Sequence, residues 1–191
     1  MKANGIGCLL MVAATSALLT GCAGPKHGMA DMKPPERAAE LDKLEAFAGN
    51  WEYTLEMTME GMEKPETYTG TSYATWECDR RLLVERVEGD MGEMGKFHGL
   101  GIYTWDPQDK VYRTFWFSNM GEMEHGTMRY DEATHTWTMK GEGQNLVTGE
   151  RTRGKGTCKA SDANTMEWSG AQYDSWGWTK KMEMKGTSKR K

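Results

Sequence analysis

Four pairs of methionines stand at Met-x-x-Met spacing: Met29/Met32, Met59/Met62, Met91/Met94 and Met120/Met123. The tetrad Met-Gly-Glu-Met occurs twice, at 91–94 and 120–123. Thioethers are soft ligands that prefer Cu(I), so Met91, Met94, Met120 and Met123 define one candidate copper site. The competing reading takes the 16 methionines as adaptable apolar filler, suited to a binding surface of no fixed shape. Aromatic side chains are the second resource, with eight tryptophans and seven tyrosines. Trp76, Tyr103, Trp116, Trp168, Trp176 and Trp178 form a candidate ligand-binding set if they turn inward. The alternative is an aromatic core that fills itself. Three histidines after the N-terminal region, His98, His125 and His135, fall on or near strands among polar or small neighbours, as surface histidines do. No His-x-His or Cys-x-x-Cys spacing points to zinc. Gly-x-Ser-x-Gly, phosphate-cradling glycine loops and His-Glu-x-x-His are absent, so a non-enzyme is expected.

Cys22 carries a different chemistry. Ile6 to Thr20 is an uncharged, mostly apolar run behind Met1-Lys2. It is shorter than the roughly 20 residues of a membrane span and suits the apolar region of a signal peptide. It ends in Leu19-Thr20-Gly21-Cys22, which resembles the bacterial lipobox. Thr20 and Gly21 are small enough for a peptidase to reach the bond before Cys22, whose thiol would become a lipid thioether. Residues 1–21 then form a lipoprotein signal peptide, and Cys22 is the membrane partner through its acyl chains. Ala23 gives no inner-membrane retention signal of the enteric type, so an outer-membrane lipoprotein facing the periplasm is expected.

Removing 21 of 191 residues leaves 170, enough for one domain with a sizeable core. The net charge moves from −4 to −5 with the loss of Lys2. Charges of both signs are interspersed, with no basic stripe, which argues against nucleic acid as a partner. Cys78 and Cys158 are the cysteines left beside Cys22. They fall near strands two and eight, nearly opposite in a ten-stranded barrel, so two free thiols are expected.

Residues 22–35, with Pro25, Gly28, Pro34 and Pro35, read as a flexible tether. A short amphipathic helix follows over 36–47, with Leu41, Leu44 and Phe47 on one face. From Asn50 the period becomes two. Trp51, Tyr53, Leu55, Met57 and Met59 alternate with Glu52, Thr54, Glu56 and Thr58, the pattern of a half-buried strand. Ten strands are predicted, at 50–60, 66–78, 81–89, 95–105, 110–118, 123–131, 134–142, 150–158, 163–170 and 174–187. Short even connections argue for an antiparallel up-and-down β-barrel, an all-β fold with one short N-terminal helix. The barrel domain is placed at 36–187, with 188–191 as a basic C-terminal tail. Alternate loops are tight and long, so one end is expected closed and the other open. Met62, Met91, Met94, Met120 and Met123 are expected to rim the open mouth.

The short helix leading into Gly49-Asn50-Trp51 resembles the opening motif of lipocalin-type (calycin) barrels, in which the tryptophan packs across the closed end. The stretch Gly99-Leu100-Gly101-Ile102-Tyr103-Thr104-Trp105-Asp106, through Tyr112 and Trp116 to Tyr130-Asp131, resembles the bacterial domain of unknown function 1579, which is lipocalin-like. That family commonly has Asp-Ser after the central tryptophan, where this chain reads Phe117-Ser118-Asn119. The resemblance implies the fold and no established activity. Some barrels of this shape, the nitrobindin group, hold haem through one histidine, which makes His98 and His125 the haem candidates. The expected function is non-catalytic binding of a small apolar or amphipathic ligand in the cavity of a lipid-anchored cell-envelope protein. Copper handling and a ligand-free structural envelope module are the alternatives.

Overall fold

The computed structural model describes residues 33–191. The signal segment, Cys22 and Met29/Met32 lie outside the described residues. Ten strands form a closed barrel: β1 (Gly49–Met59), β2 (Glu66–Glu77), β3 (Leu82–Asp90), β4 (Lys96–Asp106), β5 (Val111–Ser118), β6 (Glu122–Asp131), β7 (Thr136–Asn145), β8 (Arg151–Asp162), β9 (Thr165–Asp174) and β10 (Lys180–Arg190). Each pairs antiparallel with its sequence neighbour, and β10 closes on β1. Closure satisfies the edges that an open meander would leave unpaired. This is the architecture predicted from the period-two pattern.

Several boundaries differ from expectation: β7, β8 and β9 run on to Asn145, Asp162 and Asp174, three or four residues past their expected ends, and both ends of β10 move. β10 starts at Lys180 rather than 174, because the Asp174 side chain and Gly177, at φ 80°, build a turn from the intervening residues. The strand then runs on to Arg190. The segment 188–191 is therefore mostly strand, and not a tail.

The N-terminal helix, Ala39–Phe47, is a 3₁₀ helix. With three residues per turn, its Leu41 and Leu44 point the same way. Both are buried in a cluster with Trp51, Ala74, Leu83, Tyr112, Met128, Trp137, Cys158 and Met166. Arg37 donates to the carbonyl of Arg80 (2.7 Å), and Lys43 pairs with Glu132. These bonds tie the helix region to the β2–β3 and β6–β7 turns, so the tight turns and the helix share one end. Trp51 is 3% exposed. Its Nε1–H donates to the Phe47 carbonyl (2.9 Å), and the Arg190 guanidinium lies 4.3 Å above its ring. Arg190 also donates to the carbonyls of Ala48 (2.5 Å) and Ala46 (3.2 Å). Gly49 allows this contact: its φ is +110°, and a Cβ there would come within 2.7 Å of the guanidinium. Lys185 of the same strand pairs with Glu56, 2.8 Å away. Cys78 is an exposed free thiol and Cys158 a buried one.

Candidate functional site: the barrel lumen

Because side chains alternate across each strand, the ladder assigns the inner wall. Trp51 faces inward, and so do its register partners Ser72 on β2 and Arg190 on β10. The same parity, carried round the barrel, turns Leu83, Glu85 and Val87 of β3 inward. With them go Gly99, Gly101 and Tyr103 of β4, Trp116 of β5, and Glu122, Glu124 and Met128 of β6. Beyond them lie Gly141 and Gly143 of β7, Thr152, Gly154 and Gly156 of β8, and Gly170 and Gln172 of β9.

The inner wall has two halves of different chemistry. Towards the helix it is the apolar cluster described above. Away from the helix, glycines replace large side chains, and polar groups enter. A Cβ added at Gly154 would meet nothing within 4 Å, so the space in front of that strand is open. Gly99 has the opposite reason: its missing Cβ makes room for the Trp116 ring.

Three carboxylates, Glu85, Glu122 and Glu124, face inward here. Glu85 stands one inward position beyond Leu83, on the floor formed by the apolar cluster. It accepts from the Tyr103 hydroxyl (2.8 Å) and also bonds Ser72. Burial pushes its carboxyl above the ordinary value, and those two hydrogen bonds hold it back in part. Tyr103 is raised well above its ordinary value, first by burial and then by the Glu85 charge. Burial and the same charge push the Cys158 thiol up to about 12. Glu124 lies nearer the mouth and accepts from the Gln172 side chain. Burial and the neighbouring Glu122 raise its carboxyl too. Glu122 and Glu124 both lie on the inner face of β6. A cavity of about 290 Å³ opens here, lined by Met59, Glu122, Glu124, Thr152, Gln172 and Met182 among others.

The predicted aromatic set is split by the fold. Tyr103 sits on the floor, 6.2 Å from Phe47 in a stacked pair. Trp116 lies on the upper wall, stacked on Phe97 at 6.3 Å. Trp168 packs against the closed-end cluster, and its Nε1–H donates to Ser188 (3.1 Å). Trp76 lies at the closed end, donating to Glu45 (2.8 Å) with Arg37 and Arg80 at 5.2 and 5.1 Å from its ring. It belongs to the contacts of the helix cap, not to the open half of the lumen. Trp176 and Trp178 are 79% and 89% exposed on the β9–β10 turn and line nothing. Their apparent alternation is two rings displayed by a turn.

The methionines are also redistributed. Met62 is half-buried, its sulfur accepting from the Met59 N–H (3.2 Å). Met91 precedes the short 3₁₀ turn Gly92–Met94, Met94 ends it, and Met120 lies on the β5–β6 turn. Met123 is on the outer face of β6, opposite Phe117, so its side chain turns away from the lumen. Sequence reasoning missed the methionines that do meet. Met57 stands opposite Met184, and Met59 opposite Met182, all four on the inner wall of β1 and β10. The signal was present as Met-x-Met in the first and last strands, which a closed barrel makes neighbours. His98 and His125 are exposed on the outer face, so neither haem candidate reaches the lumen.

Residues 36–190 match the sequence model of a family described as "Protein of unknown function (DUF1579)". No curated protein matches the chain. Among solved structures, Rv2717c from M. tuberculosis superposes with a TM-score of 0.63 at 11% identity, covering 82% of this chain and 99% of that one. The S-type phycobiliprotein lyase CPES from Guillardia theta gives a TM-score of 0.54 at 10% identity, over 81% of this chain and 94% of that one. At these identities the likeness shows a shared barrel fold.

Proposed function

We propose that this chain, which belongs to the DUF1579 family, is a non-catalytic, lipid-anchored cell-envelope protein that binds a small amphipathic ligand in the open half of its barrel. One observation carries the reading: beyond the apolar floor, methionines and enclosed carboxylates surround a cavity of about 290 Å³, and the space in front of Gly154 is open. A wall evolved only for stability would fill that volume with apolar side chains, since enclosed carboxylates oppose folding unless partnered. Met57, Met59, Met182 and Met184 offer an adaptable apolar side. Glu124 with Gln172 offers hydrogen-bond acceptors for a donor or cationic group of the ligand. The lipid anchor rests on Leu19-Thr20-Gly21-Cys22.

The test uses the mature chain from residue 22 with Cys22→Ser, titrated with an amphipathic fluorescent dye bearing a cationic group and with its neutral analogue. Saturable binding of the cationic dye is expected, weakened about tenfold by Glu124→Gln and also weakened by Trp116→Ala. Absence of saturable binding by either dye would sink the proposal.

A second reading, copper handling by methionine, draws on the paired registers of Met57/Met184 and Met59/Met182. It predicts stoichiometric Cu(I) uptake that Met59→Leu and Met182→Leu abolish.

A further inference from the structure

The open rim carries the most exposed large apolar side chains among the described residues. Val147 and Leu146, 82% and 61% exposed, stand on the β7–β8 turn. Trp176 and Trp178 stand on the β9–β10 turn. The two turns are neighbours: β8 and β9 pair up to Thr152 and Asp174, and Lys181 at the base of one turn lies 3.7 Å from Glu150 at the base of the other.

Both turns hold their apolar residues outward by design of the backbone. Asp174 accepts from the Trp178 N–H through its side chain (2.8 Å) and from the Gly177 N–H through its carbonyl (2.9 Å). These backbone bonds, with the Thr179 side chain, hold the Asp174 carboxyl below its ordinary range. The Asn145 side chain accepts from the N–H groups of Val147 (2.9 Å) and Thr148 (3.0 Å). The charges beside the patch are already paired, Lys181 with Glu60 and Lys180 with Glu183. The rest of the rim is more polar, with Glu63, Lys64, Asp90, Glu93 and Lys96 on the β1–β2 and β3–β4 sides.

We infer that this sector of the rim docks on a lipid bilayer, with Trp176, Trp178, Leu146 and Val147 entering its interfacial layer so that the lumen opens beside the membrane. Indoles favour that layer, where an apolar ring and a polar N–H are both satisfied. The choice of a bilayer as occupant rests on the lipid-anchor reading of Cys22. Thirteen residue steps lead from Cys22 to Pro35, an extended reach of about 45 Å. A tilted eleven-residue strand rises only about 27 Å along a barrel axis. The tether is thus long enough to let the end opposite the helix meet the same membrane. An amphipathic ligand could then pass between bilayer and lumen without crossing water.

The experiment uses the mature chain from residue 22 with Cys22→Ser, which contains the whole closed barrel and its helix and needs no lipid of its own. It is mixed with phosphatidylcholine vesicles, with and without brominated acyl chains. Sedimentation with the vesicles and quenching of indole emission by bromine are expected. In Trp176→Ser/Trp178→Ser, vesicle affinity should fall at least about tenfold, with unchanged circular dichroism and thermal midpoint. Affinity for vesicles that the double variant retains, or no vesicle binding by the parent chain, overturns the inference. Palmitate labelling of Cys22 in cells tests the anchor separately, so the two readings fail by different signatures.

Discussion

The two ends of the barrel solve opposite problems. At the closed end a 3₁₀ helix, Trp51 and Arg190 seal an apolar cluster. At the open end glycines enter the inner wall, three carboxylates face inward, and apolar rings are displayed on turns. Burial of apolar surface at about 25 cal/mol per Å² explains the first arrangement. The second works against stability on each count, which is the mark of a region kept for another purpose.

Substitutions can break this contrast, and the largest effect belongs to the closed end. Trp51→Ala removes a buried indole, its hydrogen bond to Phe47 and the ring under Arg190. A loss of about 3–5 kcal/mol is expected in urea unfolding; less than about 1 kcal/mol would contradict the assigned core. Arg190→Ala keeps the indole but loses the stacked guanidinium and its bonds to Ala46 and Ala48. About 1–2 kcal/mol is expected, and none would follow if residues 188–191 were a free tail.

Glu85 sharpens the contrast through pH. Its folded-state value is raised by burial, so the folded chain binds the proton more tightly than the unfolded one. Stability from this group is full below the ordinary carboxylate value of 4.5 and declines as pH rises through the raised value. Glu85→Gln should therefore melt higher than the parent near neutral pH, with the difference vanishing at about pH 4. A constant difference across that range would show that the carboxyl is not enclosed. Thiol chemistry gives a smaller readout. In the Cys22→Ser chain, Cys78 should react with a maleimide while Cys158, buried and raised to about 12, reacts only on unfolding.

Much of this was legible in the sequence. Period-two alternation in the first strand, with turn chemistry between the later ones, located all ten strands, and the parity of loop lengths separated the closed end from the open one. Gly49-Asn50-Trp51 marked the seal. What failed was the distinction between facing inward and merely alternating. Trp176 and Trp178 sit two apart, as inward strand residues do, but Asp174 and Gly177 make that segment a turn. Glu85 occupies inward parity between Leu83 and Val87, and Glu124 between Glu122 and Gly126. Carboxylates are so often solvated that composition outweighed parity. The methionine wall needed the β1–β10 closure, since neither Met-x-Met pair reveals its partner alone.

The central claim is that ligand binding is confined to the open half while the closed half supplies stability. The methionine methyl groups report on both halves, because Met59 and Met182 line the mouth cavity and Met128 and Met166 lie in the sealed cluster. A carbon–proton NMR titration of methyl-labelled methionine with the cationic dye reads them in one experiment. Saturable shifts at Met59 and Met182, with Met128 and Met166 unmoved, are the predicted result. Shifts confined to Met128 and Met166, or none at any of the four, would contradict the account.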